Sequence, residues 1–282
     1  MVSSSNRRDI ALAACLILLS SVHARAGGIF VTGHDPDFHA FQGGNLLGAQ
    51  HIIQDGLKFV TNNNVGSVLL VTDLTDPGGG YSDPRKGLTA AGITFDVADN
   101  GSAGGSVKDL HTVNFSSYSA VVVASDFGGW LRQAELDILT ARSSDIFNYL
   151  NGGGGLVAFA ESGPPLPGLL THGAFGYLPF LITGAQKNQS EVGNTVTPFG
   201  SSLGLTNTDV NGNASHNIFT RSGGLNVVDN DSSGQILSLA FFGPLGPGGP
   251  SGAVPEPSSV ILLATGMAGL LGYGWTKRPK GS

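Results

Sequence analysis

Two imidazoles and two carboxylates crowd into one short stretch, His34-Asp35-Pro36-Asp37-Phe38-His39. Nitrogen and oxygen donors mixed in this way suit Zn²⁺ or Mn²⁺, whereas a Ca²⁺ site would take mainly oxygens. With such a metal at His34, Asp35, Asp37 and His39, and Glu161 as general base, the chain would be a metal-dependent hydrolase. The spacing matches no metal signature, however, and Asp35-Pro36-Asp37 is equally good turn chemistry. No cofactor other than a divalent ion is implied. His51 falls on a candidate helix and His111 in a loop, and His172 and His216 lie in a second half rich in Gly, Asn, Ser and Thr.

The elements around these residues decide whether they can meet. Ile29-Phe30-Val31-Thr32 reads as a strand, followed by a helix over Asn45 to Asn62 whose apolar face is Leu46, Leu47, Ala49, Ile52, Ile53, Leu57 and Val60. Val68 to Val71 is a second strand, and a short helix near Arg85 to Ala91 precedes a third at Ile93 to Val97. Ala120 to Ala124, a long helix from Gln133 to Leu150, and Leu156 to Ala160 complete the pattern. Near-continuous apolar strands alternating with helices predict an α/β fold: a three-layer parallel sheet with helices on both faces. Such sheets bind ligands beyond the carboxyl ends of their strands, so His34, Asp73, Asp126 and Glu161 should share one rim. Between residues 164 and 234 only Thr195-Val196-Thr197 suggests a strand, and Gln235 to Phe242 reads as the last one.

Glycine is abundant, at 44 of 282 residues, but clustered, which excludes collagen, and the 40% apolar content suffices for a core. Residues 27 to 253 hold eight basic and 18 acidic side chains, a formal charge of −10. An acidic body of this kind repels phosphate backbones, which argues against nucleic acid as a partner.

The ends have different compositions. Arg7 and Arg8, the apolar run Ile10 to Leu19 and Ala24-Arg25-Ala26 form a secretory signal peptide over residues 1–26, with cleavage after Ala26. Cys15, the only cysteine, sits inside that apolar run, so the mature chain would have no thiol, no disulfide and no cysteine nucleophile. At the other end, Val254-Pro255-Glu256-Pro257 precedes an uncharged stretch, Val260 to Trp275, and then Lys277, Arg278 and Lys280. Sixteen helical residues span roughly 24 Å, a short transmembrane helix, and the basic cluster fixes its cytoplasmic end, leaving the body outside the inner membrane. Gly243 to Gly252, rich in Gly and Pro, reads as a spacer with no regular element, giving a body at 27–242, a linker at 243–253 and a tail at 254–280.

This tail resembles the PEP-CTERM sorting signal of Gram-negative bacteria that make extracellular polysaccharide. The resemblance implies an exported protein, held transiently in the inner membrane by secretion machinery, cut near the box by an exosortase, and passed to the cell surface or extracellular matrix, with polysaccharide as a possible neighbour. The body resembles the class I glutamine amidotransferase-like fold. Its markers are Ser119 to Gly129, the helix from Gln133, and Asn151-Gly152-Gly153-Gly154-Gly155-Leu156-Val157-Ala158-Phe159. That resemblance implies an oxyanion loop after one strand and a nucleophile elbow after the next. The elbow here reads Ala160-Glu161-Ser162-Gly163, which puts Glu161 where the family has cysteine. A carboxylate is a poor acyl acceptor, and Ser162 is one residue out of register, so the body is expected to bind or scaffold instead of catalysing.

Overall fold

The computed structural model describes residues 27–74, 84–126, 128–161, 170–246 and 248–250, all within the unit Arg25–Gly252. The signal peptide, the Val254–Pro257 box and the span expected at 260–275 lie outside the described residues. Among those described, no helix is long and apolar enough to cross a membrane.

Six strands run parallel: β1 (Gly27–Thr32), β2 (Val68–Val71), β3 (Phe95–Asp99), β4 (Lys108–Asp109), β5 (Ala120–Val123) and β6 (Gly155–Ala158). Their order across the sheet is β4-β3-β2-β5-β6-β1. The sheet is not purely parallel, however. Beyond β1 it continues through antiparallel β11 (Ile236–Gly243), β10 (Asn226–Asn230) and β8 (Thr195–Val196), while β7 (Thr183–Ser190) and β9 (Ala214–Arg221) branch from β11. The second half of the chain thus supplies an antiparallel wing that its Asn/Gly/Ser-rich composition had hidden.

Alternation along the strands divides the core into two layers. Ile29, Val31, Leu69, Val71, Val121, Val123, Leu156 and Ala158 face one side, and Phe30, Val68, Leu70, Ala120, Val122 and Val157 the other. Helices α1 (Pro36–His39), α2 (Leu46–Val60) and α3 (Pro84–Ala90) follow the early strands. Asn45 caps α2 by accepting from Gly48 N at 3.0 Å, and Ala49, Ile52, Ile53, Leu57 and Val60 pack on the Phe30 side. Leu46 and Leu47, expected on that face, are exposed at 41% and 67% because they lie on the first turn, before the face meets the sheet.

The opposite layer holds α4 (Gln133–Ala141) and α5 (Ser143–Asn151), two helices where one long helix was expected. The break falls at Arg142, whose φ/ψ of −98°/17° leaves the helical well. Its guanidinium is pinned to Leu110 O at 2.7 Å and Asp145 Oδ2 at 2.9 Å, and lies 4.2 Å from the centre of the Phe115 ring. A short pair of strands, β12 (Leu245–Gly246) and β13 (Gly249–Pro250), replaces the structureless spacer expected there. Asn151 holds it to the body through Leu245 N at 2.8 Å and Leu245 O at 3.2 Å.

A buried carboxylate and histidine network at the carboxyl edge

β1, β2, β5 and β6 all end on the same edge, which places His34, Asp73, Asp126 and Glu161 just past their carboxyl ends. The loops there are zipped together by their backbones. Ala160 N donates to His34 O at 3.0 Å, Asp126 N to Ala160 O at 2.9 Å, and His216 N to Gly33 O at 2.7 Å. Only glycine fits at 33, because a Cβ there would collide with the Asn217 carbonyl of β9. Gly129 is needed for a similar reason, since a Cβ would meet the Asp37 carboxylate and the Ser125 backbone.

The His34 ring is 2% exposed and held between two carboxylates: Nδ1 contacts Glu191 Oε1, and Nε2 lies 2.8 Å from Asp229 Oδ2. Burial alone would depress this imidazole, but Glu191 and Asp229 outweigh it and hold the ring well above its ordinary value. The ring is thus wedged between two buried carboxyl groups. His216 Nε2 approaches Asp35 Oδ2 at 3.2 Å and is raised in the same manner, Asp35 overcoming burial. His39 Nε2 lies 3.4 Å from the other oxygen of Asp35. Asp37 turns away from these rings: Ser125 N at 2.8 Å and Ser125 Oγ at 2.7 Å both donate to it. Burial raises Asp37 to about 7 in spite of those bonds.

Glu161 is enclosed by the protein. It is 1% exposed, accepts from Tyr177 Oη at 2.5 Å and from Phe175 N, and its own N donates to Asn217 Oδ1 at 2.8 Å. Burial lifts this carboxyl to about 8, against the hydrogen bonds from Tyr177 and Phe175, which lower it. The same burial, with Glu161 alongside, lifts Tyr177 well above the usual phenol value.

The structure therefore brings His34, Asp35, Asp37, His39, Asp126 and Glu161 to one buried edge. Asp73 sits apart, 3.9 Å from Arg132 Nε, whose guanidinium lies 4.4 Å from the Trp130 ring centre. Glu191, Asp229, Asn217, Ser125 and Tyr177 are members that sequence reading missed. Of the wing's contributors the sequence reading named only His216, on β9, and gave it no role. Among the described residues no group of three or more His, Cys, Asp or Glu side chains is disposed to hold a metal ion. Both ring nitrogens of His34 are engaged by protein carboxylates.

Outside this edge the chain ends on a recognisable address. Residues 253–278 match the PEP-CTERM protein-sorting motif. The match includes the Val254–Pro257 box, Lys277 and Arg278, with Lys280 two residues beyond it. This is an exported protein, recognised and processed at the membrane by an exosortase. Comparison with curated proteins and with solved structures gives no match.

Proposed function

We propose that the body is a binding or scaffolding module carried to the cell surface or matrix by its sorting signal, on an amidotransferase-like frame that has lost its nucleophile. The observation that carries this reading is the state of Glu161. It follows β6, where the resemblance puts the nucleophile, yet it is buried and has both carboxyl oxygens occupied by Phe175 N and Tyr177 Oη. A group in that state can neither attack a carbonyl nor take a proton from water. The loop after β5, where the resemblance would put an oxyanion hole, is also committed inward, since Ser125 N donates to Asp37. The strand order β3-β2-β5-β6-β1 supports a doubly wound frame.

Turnover measurements on the purified full-length chain test the reading. Glutamine, peptide amide and ester substrates, with and without added Zn²⁺ or Mn²⁺, should give rates equal to buffer. Stoichiometric metal uptake together with hydrolysis abolished by Glu161→Ala would establish the metal-dependent hydrolase instead.

A further inference from the structure

The opposite, amino edge of the sheet carries two adjoining clefts of about 340 Å³ each. The first lies between Thr61 and Asn64 after α2, Ser116 to Ser119 before β5, and Gly152 to Gly154 before β6. The second is lined by Thr112 to Ser116, Arg142, Asp145 and Asn148. Ser116 and Tyr149 belong to both, so the two form one groove with Tyr149 as the shared wall. Tyr149 is fixed there: its Oη donates to Gly155 O at 3.0 Å, and its ring fills the space that a Cβ on Gly154 would need.

The walls bear almost no charge although the body is strongly acidic. Among the described residues, Arg142 and Asp145 are the only charged lining residues, and they neutralise each other at 2.9 Å. What the groove offers is hydroxyl and amide groups. The side chains of Asn64, Ser116, Ser117 and Asn148 are exposed and make no hydrogen bond among the described residues. Drug-like pockets of this size are mainly apolar with a few polar groups. A wall of uncommitted donors and acceptors beside a fixed tyrosine suits a ligand that is itself uncharged and dense in hydroxyls. A peptide would instead need apolar pockets for its side chains.

We propose that this groove binds a neutral oligosaccharide. The proposal rests on the reading of the body as a binding module and names its ligand class and its site, at the edge remote from the carboxylate network.

The test is calorimetric titration of the full-length chain in lipid nanodiscs with cellohexaose, laminarihexaose and hexagalacturonate, beside the double variant Asn64→Ala/Asn148→Ala. These two asparagines lie one in each cleft, and the thermal transition should not move, because neither side chain makes a hydrogen bond among the described residues. At least one neutral hexasaccharide should bind, with an affinity insensitive to raising salt from about 0.05 to about 0.5 M. The double variant should bind it roughly tenfold more weakly, through the loss of two hydrogen bonds. Absence of neutral-sugar binding, undiminished binding by the double variant, or salt-sensitive binding of hexagalacturonate alone would overturn the proposal and leave the non-catalytic reading standing. Cleavage of a bound hexasaccharide would overturn that reading and leave the groove.

Discussion

At the residue scale, burial decides what each ionisable group can do. Glu161 is the clearest case, because a carboxyl at about 8 in the folded chain titrates near 4.5 once exposed. The folded state therefore holds a proton that the unfolded state releases, and stability falls as pH rises from about 4.5 to about 8, by up to about 4 kcal/mol. Glu161→Gln mimics the protonated form, so urea unfolding should find it near wild type at pH 5 and more stable than wild type at pH 8. Glu161→Ala leaves Phe175 N and Tyr177 Oη without their buried partner and should cost about 2–4 kcal/mol at pH 5, the difference from wild type shrinking toward pH 8 as the wild-type carboxyl loses its own contribution. His34 follows the same sign rule. Its raised pKa contributes stability fully below the unfolded value of 6.5, and the contribution is lost as pH climbs through the higher folded value. Replacing it by alanine abandons Glu191 and Asp229 in the interior, so His34→Ala should lose about 3–5 kcal/mol at pH 6, and Glu191→Gln with Asp229→Asn should recover part of the loss.

At the scale of elements, the junction between β9 and the loop after β1 closes the carboxyl edge. Gly33→Ala tests it: the new methyl would press on the Asn217 carbonyl and force β9 away, with an expected loss of about 1–3 kcal/mol in chemical unfolding. If Gly33→Ala unfolds like wild type, β9 does not pack there. The same junction explains what the sequence could and could not tell. β1, β2, β3, β5 and β6 were legible because strands buried on both faces read as apolar runs, and that also located His34, Asp126 and Glu161 on one edge. The wing was illegible for the opposite reason. β9 reads Ala-Ser-His-Asn-Ile-Phe-Thr-Arg, and buries the polar residues Ser215, His216 and Asn217, so hydrophobic periodicity cannot mark it. Glu191 and Asp229 were invisible as site members because their partner, His34, is more than 150 residues away. The break at Arg142 was equally hidden, since it comes from a tertiary bond to Leu110 and not from a helix-breaking residue.

At the scale of the whole molecule, these titrations add. Asp37 at about 7, Glu161 at about 8, Glu135 at about 7 and the raised His34 and His216 all favour the fold at lower pH. Asp209 and Asp231 are held low, because their hydrogen bonds outweigh burial. Their contributions are present above 3.8 and vanish as pH falls through their folded values. Thermal unfolding followed across pH should therefore find its maximum between about 4 and about 6, with Tm falling steadily toward pH 9. A flat profile from pH 5 to 9 would show that the buried network is hydrated in solution. Export is the other property of the entire chain, and it determines where such a body has to remain folded. It is tested most directly by intact-mass analysis of the protein recovered from the surface and medium of an exosortase-bearing host and of the same host lacking that enzyme. The account predicts a chain that begins at Gly27 and lacks residues 260–275 in the first, and a chain that keeps them, retained in the membrane, in the second. Surface-exposed protein carrying residues 260–275 in both hosts would contradict it.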